Sequence, residues 1–411
     1  MTLTLRAGLL AGLALALPIA ASAEPVSLDE AVRRAIAASP AIQAQEAGIR
    51  SARAGRSQAD VRPNPVLSVE AENIAGTGAY DVYRQAETTV TYAQTIERGG
   101  KRDARIAYAE RDIGVAEASA RLTRLDLAEA VQRTFIDLQI AEEVVWLAER
   151  RLETERAMQT EALRRVRGYK DPLFVETRAE ARVAQARLAL DEARSRRNAA
   201  RARLASFWGG KAEDVEVPRG IEKPDDHLHQ LAAADSALAS ATVERAQAAV
   251  VVEQTRGVQD YTVSGGVRHL RETGDVALVA GISIPLGRFD RNRGNIERAQ
   301  AERQRTELLA EAARLDRLRQ LASLRAEADA ARMRADGIMQ DVYPKAVRTL
   351  QQVREGYNRG GFRFSDVQDG ADAIIEVQSQ WVEAMTRYRD ILSQIDRLTG
   401  RFDVVAGEEV Q

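Results

Sequence analysis

The chain of 411 residues contains no cysteine. Disulfides, thiolate metal sites and thiol nucleophiles are therefore impossible. A protein without these devices needs another source of stability, and we expect a large core or oligomerisation to supply it.

The sequence also lacks an excess of charge of one sign, with 59 basic and 61 acidic residues, and only 5% of its residues are aromatic. The near-balance argues against a nucleic-acid-binding protein. A charged content of 29% with few aromatics is typical of long, solvated coiled-coil helices. Beyond residue 23 no apolar run is long enough to span a membrane as a helix, so any crossing must use β-strands.

Residues 1–23 have the pattern of a secretory signal peptide. Leu9 to Ile19 is an apolar run of about eleven residues, and Ala21-Ser22-Ala23 fits a cleavage site before Glu24. An uncleaved anchor is the alternative, but the run is short for a span of ~20 residues. Without a cysteine after the cleavage site, we expect no lipidated N-terminus.

Residues 24–210 are interpreted as a first structural repeat, which begins with helix. Ser27 and Glu30 have the spacing of a capping box, in which each side chain bonds the other's backbone. Pro40 interrupts this helix, and the following segment is expected to end near Asp60. Two strands of nine or ten residues are predicted within about 65–97, because apolar and polar residues alternate there.

A long helical hairpin completes the first repeat. The segment from Lys101 to Arg167 has no proline and one internal glycine, and at ~1.5 Å per residue it would be roughly 100 Å long. Four apolar residues recur every seven positions, as in a coiled-coil seam: Val131, Leu138, Val145 and Leu152. A turn at residues 168–172 and a return helix from Leu173 to Trp208 follow.

The same order of elements then recurs. Residues 211–225 are interpreted as an irregular equatorial linker, residues 226–400 as the second repeat, and residues 401–411 as a tail. The second repeat has a helix to about Arg256, strands at about 258–286, and a long helix from Asn295 to Tyr357 bent at Pro344. Its return helix runs from Ser365 to Leu398. Gly400 matches Gly210, and Tyr169 lies about as far before Gly210 as Tyr357 lies before Gly400. Glu176 and Asp366 then fall at equivalent places, with a two-residue difference in the turn.

The predicted fold is mainly α with a small β part. Four amphipathic strands cannot close a barrel, and an open edge in lipid leaves backbone groups unpaired at several kcal/mol each. Membrane barrels begin at about eight strands, so the strands must pair with those of other copies. A trimer would supply twelve strands, with the helical tips at the opposite end.

Four motifs resemble the TolC-like outer-membrane efflux factors, and the resemblance covers essentially the whole mature chain. They are Ser27-Leu28-Asp29-Glu30-Ala31-Val32, Gly99-Gly100-Lys101-Arg102, Ile284-Pro285-Leu286 and Asp290-Arg291-Asn292-Arg293-Gly294-Asn295. The second and fourth are most similar to the heavy-metal, CzcC-type branch.

The resemblance implies a homotrimer, with a twelve-stranded outer-membrane β-barrel above a periplasmic α-barrel tunnel. It implies a periplasmic adaptor (membrane fusion) protein and an inner-membrane, proton-driven RND-type pump as partners. It further implies contact with outer-membrane lipid, no nucleic acid and no cofactor.

Candidate gate residues also follow from the resemblance. The second turn carries Tyr357 and Gly360, and the motif Asp366-Val367-x-Asp369 follows it. Three copies of Asp366 and Asp369 would form carboxylate rings that attract cations, and the equivalent residue Glu176 would join Tyr357 in closing the tunnel. Phe362 stands where a gating arginine is expected. Alternatively, both aspartates only cap the return helix, since acids favour helix N-termini.

The two turns are candidate adaptor-docking tips, because exposed aromatic side chains beside glycines suit a docking surface. Ordinary turn chemistry is the alternative. The tip residues are Gly168, Tyr169, Lys170, Asp171 and Pro172 in the first repeat and Gly360, Gly361 and Phe362 in the second. His227 and His229 are weak metal candidates, and a polar helix start is the favoured explanation of them.

The sequence carries no GxSxG, HExxH or phosphate-binding glycine loop, so we predict no catalytic residue and no enzyme. The predicted function is the outer-membrane channel of a tripartite efflux system, a passive duct for heavy-metal cations. The alternative is a soluble periplasmic coiled-coil or adaptor protein, which would not need four amphipathic strands. An envelope hydrolase lacks a candidate nucleophile.

Overall fold

The computed structural model describes residues 25–218 and 231–402. The predicted signal peptide and most of the predicted tail lie outside these residues. The helices are α1 (Leu28–Ala38), α2 (Pro40–Ala59), α3 (Lys101–Arg167), α4 (Phe174–Ala205), α5 (Ala233–Arg256), α6 (Arg293–Gly337), α7 (Tyr343–Asn358) and α8 (Phe364–Thr399). The strands are β1 (Val66–Glu72), β2 (Glu87–Ile96), β3 (Tyr261–Leu270) and β4 (Val276–Ser283).

The four strands form one antiparallel sheet in the order β1-β2-β3-β4. The register places Val69, Val90, Val267 and Leu278 side by side in one row, which crosses all four strands on one face. On the opposite face β1 and β2 carry polar residues, and Arg268 of β3 forms salt bridges with Glu72 at 3.1 Å and with Glu87 at 2.7 Å, whereas β4 contributes mainly small and apolar residues there. The predicted alternation is confirmed, although β1 has 7 residues and is shorter than the predicted nine or ten.

Helix α3 is the element around which the others pack. At 67 residues it has the predicted bounds, and its heptad residues are all buried: Val131, Leu138, Val145 and Leu152. Near the sheet it packs against α2 and α5, and farther along it packs against α4 and α8. No helix within the described ranges is both long and apolar enough to cross a bilayer.

The helix ends show where the sequence interpretation was right and where it was wrong. Ser27 accepts the Glu30 N–H at 3.3 Å, as expected of an N-cap. Glu30 does not complete the capping box, because its carboxylate accepts hydrogen bonds from Arg33 and Arg34 instead. Gly100 and Asn292 precede the two long helices with the same left-handed backbone, at φ 74° and 59°, so the segments that lead into these helices are equivalent in the two repeats.

The second long helix is interrupted rather than simply bent at Pro344. A π-helical segment, Ile338–Val342, separates α6 from α7. Pro344 lies in the first turn of α7, where its missing N–H is not needed. The widened turn before it accommodates the proline ring without a clash.

The backbone shifts the predicted alignment of the repeats by a few residues. Tyr169 and Gly360 hold the matching left-handed positions at the tips, with φ 55° and 83°. Gly209 and Gly400 have matching left-handed backbones at the other end, which we call the equator, where the return helices end, with φ 70° and 76°. Tyr169 therefore corresponds to Gly360 rather than to Tyr357, and Gly209 replaces Gly210 as the partner of Gly400. Glu176 and Asp366 both lie three residues after their N-caps, as predicted.

Gly266 provides a test of how tightly the sheet is packed. A Cβ atom at this position would lie 2.4 Å from the Val90 carbonyl oxygen, whereas a Cβ on the neighbouring Gly265 would meet no atom within 4 Å. We expect Gly266→Ala to lower the free energy of unfolding by about 1–3 kcal/mol, because β2 and β3 must separate. Gly265→Ala is the control, and thermal denaturation measures both. An equal midpoint for the two variants would contradict the register described above.

Candidate functional site

The tip of the first hairpin is held by an arginine inside the turn. Arg165 donates hydrogen bonds to both carboxylate oxygens of Asp171, at 2.5 and 3.0 Å. These bonds, partly opposed by burial, lower the pKa of Asp171. The pair joins the last turn of α3 to the connection before α4, so the tip has a defined shape.

Tyr357 connects the second hairpin to the first. Its hydroxyl donates to Glu161 Oε1 at 2.9 Å and accepts from Arg165 Nη1 at 2.8 Å. The Arg165 guanidinium lies 5.1 Å from the centroid of the Tyr357 ring, and the Phe364 ring lies 6.1 Å away on α8. One phenol therefore ties α7 to α3 close to both tips.

The charges around Tyr357 keep it a neutral hydrogen-bonding group. Burial, together with its hydrogen bond to Glu161, raises the pKa of the phenol. Hydrogen bonds from Arg164, partly opposed by burial, and from Tyr357 lower the pKa of Glu161. At neutral pH the arrangement is thus a neutral phenol between a carboxylate and a guanidinium.

The second tip is closed by an aromatic ring over a glycine. A Cβ atom on Gly356 would lie 2.1 Å from the Phe362 ring, so only glycine permits this contact. The Gly361 N–H donates to the Gly356 carbonyl at 2.9 Å, across a turn in which Gly360 has a left-handed backbone. Half of the Phe362 side chain remains exposed.

The first tip instead presents an aromatic side chain to solvent. Tyr169 is 98% exposed and has a positive φ of 55°, a backbone region that non-glycine residues rarely occupy. Leu173 and Phe174 beside it are also mostly exposed. Gly168, Lys170 and Pro172 complete the predicted tip and are exposed.

The predicted gate carboxylates differ in their surroundings. Asp366 accepts the Arg363 backbone N–H at 2.8 Å and so caps α8. Asp369, three residues later, is exposed, and it forms no hydrogen bond or salt bridge with any described residue. Glu176 is half-buried at the start of α4. Within one chain the partners of Tyr357 are Glu161 and Arg165, so a contact of Tyr357 with Glu176 stays a prediction.

No group of three or more histidine, cysteine, aspartate or glutamate side chains within residues 25–218 and 231–402 could hold a metal ion. The weak candidates His227 and His229 lie outside the described residues.

The sequence interpretation missed the groups that connect the hairpins. Glu161 and Arg165 lie in the charged stretch that ends α3, where a coiled-coil pattern predicts solvated side chains. Arg182 was missed in the same way. It lies 3.0 Å from Asp372 on α8 and 4.0 Å from the buried carboxylate of Glu155 on α3. Because their partners are distant in the sequence, no local pattern marks these residues.

Comparison with known proteins identifies the class to which this architecture belongs. Residues 31–210, which correspond to the first repeat, match the family model described as "Outer membrane efflux protein". The chain is 30% identical to the cobalt-zinc-cadmium resistance protein CzcC of Cupriavidus metallidurans over 391 residues, which are 92% of this chain and 91% of CzcC. It is 28% identical to the nickel-cobalt-cadmium resistance protein NccC of Alcaligenes xylosoxydans xylosoxydans, over 77% of this chain and 70% of NccC.

The fold is also shared with solved structures. The outer membrane protein VceC of Vibrio cholerae matches with a TM-score of 0.74 at 19% identity, covering 91% of this chain and 96% of VceC. CusC matches with a TM-score of 0.71 at 14% identity, covering 93% of this chain and 92% of CusC.

The chain belongs to the outer membrane efflux protein family. It is an efflux channel protein of the outer membrane that extends into the periplasm, and it is not an enzyme. The alternative of a soluble periplasmic coiled-coil or adaptor protein is therefore set aside.

The tie at Tyr357 can be tested by removing one atom. We expect Tyr357→Phe to lower the free energy of local opening at residues 356–361 by about 1–2 kcal/mol, because two hydrogen bonds to charged groups are lost. Amide hydrogen exchange measures this quantity. The control is Tyr343→Phe on the same helix, since the Tyr343 hydroxyl has no hydrogen-bond partner among the described residues. Equal exchange rates in the two variants would show that Tyr357 does not hold the tip.

Proposed function

We propose that three copies of this chain form a duct for divalent heavy-metal cations. The duct receives them from a periplasmic adaptor and an inner-membrane RND-type pump and releases them outside the cell. The observation that carries the proposal is the similarity, over nearly the whole chain, to a cobalt-zinc-cadmium resistance protein.

The single chain is physically incomplete, which supports the trimer. Strands β1 and β4 each have one unpaired edge within the chain, and the row formed by Val69, Val90, Val267 and Leu278 is exposed. Leu308 and Leu309 on α6 are also exposed. Three sheets of four strands would pair every edge in a closed barrel of twelve.

The tip geometry supports different roles for the two predicted gate aspartates, Asp366 as a helix cap and Asp369 as a charge at the entrance. Asp366 is committed to the α8 N-terminus by its bond to Arg363, so the cap alternative describes its local role. Asp369 has no such commitment, and its carboxylate is free to face a passing ion. In a trimer three copies of Asp369, with Glu176 and Asp366 nearby, would concentrate negative potential at the entrance and favour cations. Tyr357 would oppose opening through its bonds to the first hairpin.

The tips support docking of an adaptor more than ordinary turn chemistry. A tyrosine in the left-handed region costs about 1 kcal/mol relative to glycine, and the equivalent position in the second tip is a glycine. The Tyr169 side chain is 98% exposed, so its contacts with the residues that the structure describes are too few to offset this strain. A partner that covers Tyr169, Leu173 and Phe174 would bury the apolar surface that the isolated tip leaves in water.

Charge at the tunnel entrance is tested by Asp369→Asn. We expect the ratio of cation to anion permeability in planar bilayers to fall several-fold, because a carboxylate ring loses its charge while the α8 cap stays intact. Asp329→Asn on α6 is the matched control, since Asp329 is also exposed and has no salt bridge within the described ranges. If both variants keep the selectivity of the unmodified protein, Asp369 is not part of the selective entrance.

The substrate class is tested in cells. Deletion of the gene should lower the concentrations of cobalt, zinc, cadmium or nickel that stop growth, and the intact gene should restore resistance. Growth in the presence of organic toxicants is the comparison. Unchanged metal sensitivity together with increased sensitivity to organic compounds would reassign the duct to organic substrates.

A further inference from the structure

The sheet is joined to the helices by a compact layer of chain, which we call the joint and define as residues 60–63, 97–103, 257–260 and 284–293. Its parts touch one another. The Gln94 side chain of β2 donates to the Pro63 carbonyl at 2.9 Å, and the Arg98 N–H donates to Asp260 Oδ1 at 2.9 Å. A Cβ on Gly257 would lie 3.0 Å from the Arg291 carbonyl. All four strands therefore enter or leave the sheet through one layer.

Most carboxylates in and beside the joint are neutralised by neighbouring cations. The pairs are Asp60 with Arg102 at 2.6 Å, Asp260 with Lys101 at 2.7 Å, Glu253 with Arg256 at 2.5 Å, and Glu97 with Arg105. Asp103 and Asp290 form no salt bridge within the described residues. Asp290 instead accepts the Asn292 backbone N–H at 2.8 Å.

Four exposed arginines remain in the joint without a salt bridge to any described carboxylate: Arg62, Arg98, Arg288 and Arg291. Arg98 and Arg288 lie over the aromatic rings of Tyr261 and Phe289, each 5.6 Å from the ring centroid. The joint thus has more free positive than free negative charge, at the end of the sheet that meets the long helices.

Apolar side chains accompany these arginines. Leu286 is 88% exposed and Phe289 is 93% exposed, in the segment directly after β4. An amphipathic segment with arginine and an aromatic residue is typical of a membrane interface, where the apolar side chains enter the acyl boundary and the cations meet phosphate. Arg62 precedes the edge strand β1, whereas Arg288 and Arg291 follow the edge strand β4. In a closed ring of copies these two groups would adjoin.

We propose that the joint binds anionic phospholipids in the periplasmic leaflet of the outer membrane. The free arginines bind the lipid phosphates, and Leu286 and Phe289 insert at the boundary between headgroups and acyl chains. The inference rests on the proposed function, because the joint lies at the membrane edge only if the sheet crosses the membrane. The charge favours a lipid surface over a further protein contact, since four cations in an exposed band match a layer of phosphates.

A tryptophan reporter introduced by Phe289→Trp tests the proposal. The reporter protein is reconstituted with brominated phosphatidylglycerol or brominated phosphatidylcholine, and the quenching of the introduced tryptophan gives the relative affinity for the two lipids. The unsubstituted protein supplies the background from the native residues Trp146, Trp208 and Trp381. We expect both lipids to quench the introduced tryptophan, and phosphatidylglycerol to bind more tightly.

Removal of charge then tests the role of the arginines. Arg288→Gln with Arg291→Gln, in the reporter protein, should reduce the preference for phosphatidylglycerol about fivefold for each arginine removed. Arg121→Gln with Arg187→Gln is the control with equal charge change, because both residues are exposed on α3 and α4 and form no described salt bridge. Channel conductance verifies that each variant is folded and inserted.

The outcomes separate this inference from the proposed function. If the protein conducts ions but neither lipid quenches the introduced tryptophan, the segment is covered by protein or faces water, and the inference is wrong while the duct stands. Equal affinity for the two lipids, or an equal loss in the control variant, also overturns it. If the protein neither inserts nor conducts, the proposed duct and the lipid site fail together.

Discussion

A single helix of 67 residues cannot bury its own apolar side chains. The rest of the fold depends on packing other elements against them. At ~1.5 Å per residue α3 extends roughly 100 Å, beyond the width of an ordinary domain. Its buried seam must therefore be met by different neighbours along its length: α2 and α5 near the sheet, then α4 and α8 toward the tips. The repeat supplies these neighbours from one chain, and the exposed apolar side chains on the strands and on α6 show where one chain is insufficient.

Periodicity made most of this architecture predictable. The seven-residue spacing from Val131 to Leu152 and the alternation along β3 gave helix and strand types and nearly their bounds, because burial on one face imposes a regular pattern on the sequence. Helix ends were less predictable. Glu30 has two arginines within reach and binds them rather than the Ser27 backbone, a competition that no spacing rule resolves.

The candidate site was only partly predictable, and the missed residues share a physical reason. Tyr357 was a candidate through the resemblance to the TolC-like family. Its partners Glu161 and Arg165 are almost two hundred residues away in the sequence and look like ordinary solvated charges. The alignment of the two repeats was offset by a few residues, because it compared Tyr169 with Tyr357 by residue type and approximate spacing. The equivalence lies in the backbone, where Tyr169 and Gly360 both have positive φ. Two positions can therefore have the same backbone conformation in the two repeats although their side chains differ, as Tyr169 and Gly360 do.

The left-handed residues that end the helices also fix a length. As many residues separate Tyr169 from Gly209 as separate Gly360 from Gly400, and these four positions mark the tips and the equator of the two hairpins. The two return helices therefore span equal numbers of residues between these positions. A deletion of one turn from the first hairpin alone, in α3 and α4 together, would move Glu161 and Arg165 away from Tyr357, whereas an equal deletion from both hairpins would preserve these bonds. The length of one hairpin can thus change without loss of these bonds only if the other hairpin changes by the same amount.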